Sequence, residues 1–135
     1  MPPGDPPPRA DQCYCFAARK KARQISRIYD AHLQSTGLRI TQFLILAMLN
    51  EVQAASLAEL AERLDVDATA MGKMAATLER DGLVEIGRST NDRRMRLVRL
   101  TPTGCVLFGQ ATPLWRAAQL GLEAAEPMQN EGAPR

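Results

Sequence analysis

Apolar residues at Ala18, Ala22, Ile25, Tyr29 and Leu33, with Ile28 beside them, recur at steps of three and four. That spacing predicts an amphipathic helix from Cys13 to about Leu33. Ser35-Thr36-Gly37 ends it, and Thr41 offers an N-cap for a second helix from Gln42 to about Val52. Its centre, Phe43-Leu44-Ile45-Leu46-Ala47-Met48-Leu49, is apolar all round and is therefore expected to be a core helix buried on every side. Ser56 and Glu59 form a capping-box pair opening a third helix, whose Leu57, Leu60, Ala61 and Leu64 make one core face. Asp67 caps a fourth helix ending near Arg80, with Met71, Ala75 and Leu78 inward. Ala68, Thr69, Gly72, Lys73 and Ala76 then lie on its outer side. Asp81-Gly82 stops this helix, because glycine readily takes the left-handed conformation a helix end requires.

Two short alternating segments follow, Leu83 to Arg88 and Arg94 to Leu100, separated by a polar tip. They are expected to pair as a two-stranded hairpin. Thr101-Pro102 restarts helix, with Thr as the cap and Pro in the first turn. Thr112-Pro113 is expected to kink or break that helix, and Leu114, Trp115, Ala118 and Leu122 carry its apolar stripe onward. The first and last helices thus each carry a long apolar stripe, which a small central unit cannot cover by itself. A two-fold homodimer with interlocked terminal helices would bury both. The expected fold is mainly α with a small β-hairpin wing. Its order of helix, turn, helix and hairpin is one that sets a helix in a DNA groove with a basic loop alongside.

Charge supports this through its distribution. The net charge of +2 over 135 residues singles out no partner. Yet Arg88, Arg93, Arg94, Arg96 and Arg99 crowd into one hairpin, where Asp92 is the only acid between Arg88 and Leu100. Arg19-Lys20-Lys21-Ala22-Arg23 forms a second basic run, readable equally as a solvated helix face. On the outer side of the fourth helix, Thr69 can touch a base edge or a thymine methyl, or serve only to start the helix. Lys73 can reach guanine or phosphate. Ala68 and Ala76 add only small contacts there, so specificity is expected to rest on DNA shape, the wings and the spacing of the two copies.

Other classes are poorly served. No apolar run is long enough to span a bilayer, and no signal-peptide order opens the chain, so a cytoplasmic protein without membrane contact is expected. Three cysteines suit a reducing compartment better than a disulfide framework. A lone His32 and a Cys-x-Cys pair do not make a zinc site, and no Ser-His-Asp set or phosphate-cradling glycine loop exists. No cofactor is expected and no enzyme, the one conceivable catalysis being thiol peroxidase chemistry at Cys15. Residues 1–11 and 127–135 read as disordered tails around a winged domain at 12–126, with a DNA-binding core at about 41–101.

Three segments in this order resemble the multiple antibiotic resistance regulator (MarR) family. They are Ser56-Leu57-Ala58-Glu59-Leu60-Ala61, Leu78-Glu79-Arg80-Asp81-Gly82-Leu83-Val84, and Asn91-Asp92-Arg93-Arg94 followed by Leu100-Thr101-Pro102-Thr103-Gly104. The resemblance runs from Cys13 to about Leu122. It implies a homodimeric repressor gripping successive turns of double-stranded DNA and released by a small phenolic, another apolar effector or an oxidant. It also implies an ion pair from Asp92 to Arg94 and a wing-tip arginine in the minor groove. The bland site for an effector lies between the dimer helices and the winged lobe, near Phe43 and Met48.

Cys15-Phe16-Ala17, with Tyr29 further on, resembles the organic-hydroperoxide-sensing branch of that family. There a cysteine early in the first helix is oxidised, tyrosines hydrogen-bond it, and DNA is released. The helix N-terminus and the nearby Arg19 and Lys20 would favour the reactive thiolate. Ile40 stands where that branch has a second tyrosine, and Cys13 is an addition to its pattern. An inert, structural cysteine is the competing reading. A winged helix that binds proteins rather than DNA is a further alternative.

Overall fold

The computed structural model describes residues 4–92 and 94–125. It contains α1 (Tyr14–Leu33), α2 (Ile40–Val52), β1 (Ala54–Ser56), α3 (Leu57–Leu64), α4 (Ala68–Arg80), β2 (Val84–Arg88), β3 (Arg96–Leu100) and α5 (Pro102–Ala125). A short 3-10 turn at Ala10–Gln12 precedes α1, straddling the expected boundary between the tail at 1–11 and the domain.

The all-round apolar helix is the centre of the molecule. Phe43, Ile45, Leu46, Met48 and Leu49 of α2 are buried, whereas Leu44 and Ala47 are only partly covered. Phe43 stacks on Phe108 and Trp115 of α5, with ring centroids 5.3 and 5.8 Å away. Offset stacking of this kind adds to the gain from burial. α2 starts at Ile40, so Thr41 is inside the helix and is not its cap. The first turn is closed instead by Gln42, whose Oε1 accepts from the Arg39 N–H at 2.9 Å. Asp30 of α1 supplies a second acceptor, taking the Ile40 N–H at 2.8 Å. Two side chains thereby satisfy N–H groups that every helix start leaves open.

α3 and α4 follow the sequence signals closely. Ser56 Oγ accepts from the Glu59 N–H at 3.1 Å, and Asp67 Oδ1 accepts from the Ala70 N–H at 2.7 Å. Met71, Ala75 and Leu78 are buried as expected. At the far end the Gly82 N–H bonds the Glu79 carbonyl and the Leu83 N–H bonds the Leu78 carbonyl, each at 3.0 Å. This Schellman arrangement needs the φ of 76° at Gly82.

Two further expectations are corrected. The hairpin is part of a three-stranded antiparallel sheet of order β1-β3-β2, since Ala54, Ala55 and Ser56 pair with Arg99, Val98 and Leu97. Gln53, at φ 72° and ψ −45°, makes the sharp turn that delivers the chain from α2 into β1. In addition, of the kink or break expected at Pro113 the break does not occur, since α5 runs from Pro102 to Ala125. The carbonyl that Pro113 cannot engage belongs to Gly109, an exposed residue, so it need not be left buried and unpaired. Packing of Phe108, Leu114 and Trp115 on the core holds the helix together on its other side.

Candidate nucleic-acid interface

Helix α4 presents one face to the core and the other to solvent. Ala68, Thr69, Lys73 and Ala76 are all exposed, and Gly72 between them is half-buried. The exposed face is shallow: nothing stands within 4 Å of a Cβ built on Gly72. A smooth helix surface of this kind can enter a groove without steric conflict.

The wing begins where α4 ends. Glu79 Oε2 accepts from the Ile86 N–H at 3.0 Å, tying the last turn of α4 to β2. β2 and β3 pair from Val84↔Leu100 to Arg88↔Arg96. The loop beyond is closed by the Ser89 N–H on the Met95 carbonyl at 2.9 Å and by the Met95 N–H on the Asp92 carbonyl at 3.0 Å. Ser89 is nearly buried, and its Oγ accepts from the N–H groups of Asn91 and Asp92 at 3.2 and 3.4 Å. Sequence reasoning passed over Ser89. Its only signal was a hydroxyl two residues before an Asn-Asp pair, a common self-bonding turn.

Asp92 and Arg94 are linked differently from the expected ion pair. Asp92 Oδ1 accepts from the backbone N–H of Arg94 at 2.9 Å. The two-residue separation favours this local turn, in which a short carboxylate reaches the main chain. The Arg94 guanidinium consequently has no acidic partner among the described residues. Arg94 and Arg96 are exposed and line a groove of about 410 Å³ with Met95, Asp92 and the first residues of α3, Ser56, Leu57 and Ala58. Arg93 lies outside the described residues. Wing arginines and the outer face of α4 are thus displayed by one small rigid lobe.

The redox candidates are not brought together within the chain. Cys15 is an exposed free thiol in the first turn of α1, and Arg19 Nε donates to its Sγ at 3.3 Å. That bond, and then the charge of the thiolate form, raises the pKa of Arg19. Tyr29 is fourteen residues further along the same helix, roughly 20 Å away at the usual helical rise. Its hydroxyl donates to Gln119 Oε1 of α5. Burial, and secondarily the charge of Glu123, pushes its pKa up. Phe43 and Met48, the residues expected near an effector pocket, are buried, and the rings of Phe108 and Trp115 pack on Phe43.

A helix pair with an appended antiparallel wing defines the winged helix-turn-helix class. The MarR family model matches residues 38–95, and the chain belongs to the MarR family of transcriptional regulators. The structure is similar to that of the transcriptional regulator MosR of Mycobacterium tuberculosis in complex with DNA, with a TM-score of 0.77 and 34% identity over 84% of this chain and 82% of that one. The sequence is 27% identical over 100 residues to the organic hydroperoxide resistance transcriptional regulator of Bacillus subtilis, covering 74% of this chain and 68% of the relative. It is 31% identical over 106 residues to the HTH-type transcriptional regulator TtmR of Methylorubrum extorquens, covering 78% of this chain. The match takes in 54% of TtmR, so the chain spans about half of that relative. Family and fold are those of transcription regulators rather than enzymes. Among the described residues, no helix is long and apolar enough to cross a membrane.

Proposed function

We propose that this protein is a cytoplasmic, homodimeric repressor that binds a pseudo-palindromic site on double-stranded DNA. The observation carrying this reading is the pairing, on one lobe, of the exposed α4 face with a wing whose Arg94 and Arg96 have no acidic partner among the described residues. Ala68, Thr69, Lys73 and Ala76 enter the major groove, and Arg93, Arg94 and Arg96 contact backbone and minor groove. Asp92 fixes the wing loop through the Arg94 N–H. The presence of DNA in the MosR complex is consistent with this assignment.

Dimerisation is supported by apolar surface left uncovered in the single chain. Tyr14 and Phe16 of α1 and Val106 and Leu120 of α5 are exposed. Ala18 and Ala22, in the predicted stripe, are exposed as well. A second copy packed on the terminal helices would cover this surface, with half-sites about 10 base pairs apart on the DNA. The expected winged domain at 12–126 accommodates all of the elements from α1 to α5, and the tail expected at 127–135 lies outside the described residues.

Release follows from an effector acting on the dimer. One reading is a small phenolic or other apolar molecule. A second is oxidation of Cys15 by organic hydroperoxide, favoured by the exposed thiol, its bond from Arg19 and the name of the Bacillus subtilis relative. Tyr29 can join Cys15 only if the two residues come from different copies.

A gel-shift titration on the chain's own upstream DNA, with and without cumene hydroperoxide, tests both. Salt-dependent binding to a specific duplex is expected. Loss of binding on peroxide treatment, restored by reductant and absent in Cys15→Ser, supports the thiol reading; indifference to peroxide directs the search to small ligands. No affinity for any duplex at low salt would overturn the DNA-binding proposal in favour of a protein-interaction module. Peroxide turnover without an effect on DNA would reveal an enzyme instead.

A further inference from the structure

The β2–β3 register places Arg88 directly opposite Arg96, on the last rung before the wing loop. Directly opposed residues share a face of the sheet and hold their Cβ atoms about 5 Å apart. Two like charges there oppose strand pairing. The next rung but two shows the contrast, since Glu85 stands opposite Arg99 and the charges complement each other. Neither Arg88 nor Arg96 has an ion pair among the described residues. Both are exposed.

The two side chains border different hollows. Arg96 lines the groove against the start of α3, with Arg94 and Met95. Arg88 lines a hollow with Glu85, Gly87, Leu97 and Arg99. β2 is the outer strand of the sheet, so Arg88 stands on its free edge. The rung therefore carries two positive charges, one beside the helix-side groove and one at the strand edge. A repulsive rung at the base of a loop already closed by Ser89 and Met95 makes sense if a polyanion neutralises it.

We propose that Arg88 is a further DNA-backbone contact and that Arg88 and Arg96 form a two-residue phosphate grip at the root of the wing. This rests on the DNA-binding reading above and adds a contact residue to it. The grip stores repulsion in the free protein and releases it when phosphate oxygens approach. Part of the binding energy thus comes from relief of strain in the wing. Fixing the root of the wing on the backbone also sets how deeply the tip, with Arg94, can reach.

The test measures the affinity of the full chain for a labelled upstream duplex across a salt series, together with the melting temperature of the free protein. Arg88→Ala is expected to lower the slope of log K against log salt by about one unit for each protomer engaged. Arg88→Glu puts a carboxylate opposite Arg96. It is expected to raise the melting temperature while weakening DNA binding more than Arg88→Ala does. These opposite signs separate a grip from mere damage to the wing, which would lower both. Wild-type binding with an unchanged slope in Arg88→Ala would overturn the grip alone. A lowered melting temperature in Arg88→Glu would also overturn it. Absence of duplex binding by the wild type would overturn the DNA reading, and the grip with it.

Discussion

The backbone of Gly104 lies so close to the carbonyl of Leu83 that a Cβ on residue 104 would overlap that oxygen. The contact joins the first turn of α5 to the corner between α4 and β2. Thr101 secures the same corner, its hydroxyl donating to the Gly82 carbonyl at 2.6 Å and accepting from the Gly104 N–H at 3.0 Å. The Thr101-Pro102-Thr103-Gly104 segment is therefore a clasp between the terminal helix and the winged lobe.

Gly104→Ala is expected to destabilise the fold by about 2–3 kcal/mol, the upper range for overpacking, because the obstacle is backbone that cannot rotate away. Thr101→Val should cost about 1–2 kcal/mol through loss of a helix cap and of the bond to Gly82. Denaturant unfolding midpoints measure both. An unaltered midpoint in Gly104→Ala would show that the clasp yields freely.

Gln53 offers the opposite case. Its φ of 72° with ψ of −45° is costly for a residue with a side chain. Gln53→Gly should stabilise the protein by about 1 kcal/mol, the relief of strain outweighing the added freedom of the unfolded chain. The same unfolding assay reads it, and a loss of stability would mean that the Gln53 side chain has a role of its own.

At the wing, Arg94→Ala is expected to weaken DNA binding on all sequences and to flatten its salt dependence. Ser89→Ala should leave the melting temperature nearly unchanged, since the loop it organises is peripheral. It should still reduce affinity by loosening the N–H groups of Asn91 and Asp92 that Ser89 Oγ now holds. Fluorescence anisotropy with a labelled duplex measures both variants. Wild-type affinity in Arg94→Ala would remove the tip from the interface.

Tyr29 carries a pH dependence of definite sign. Burial, and then the charge of Glu123, holds its folded-state pKa above the ordinary phenol value. The contribution to stability is complete below about pH 10, the unfolded phenol value, and is lost as pH rises through the higher folded value. Tyr29→Phe, which also loses the bond to Gln119, should be less stable at neutral pH. It should then lose less stability than the wild type across that alkaline window, as followed by unfolding midpoints at stepped pH.

The parts legible in sequence were those with local chemistry. Ser56, Asp67, Gly82 and Thr101 announced helix ends because each acts on backbone within a few residues. Alternation at Val84, Ile86 and Val98 announced the wing. β1 was not legible: Ala54, Ala55 and Ser56 carry no alternation, and become a strand only because β3 lies beside them. Pro113 signalled a break that tertiary packing on the far side of α5 prevents. The family resemblance makes Asp92 a partner for the Arg94 side chain, whereas its reach suits the main chain. At Cys15 and Tyr29 the spacing was visible, yet one straight helix holds them apart.

Ser56 is at once the last residue of β1 and the residue whose hydroxyl caps α3. A strand and a helix that share a residue cannot swivel independently, and β1 is bonded to β3, the strand that carries Arg96. The lobe therefore behaves like a stiff jaw, with its helix face and its wing held at one setting. In the homodimer proposed above, a signal would change the separation of two such jaws far more cheaply than their shape. Control of grip in that dimer would then belong to the long helices that act as the handle.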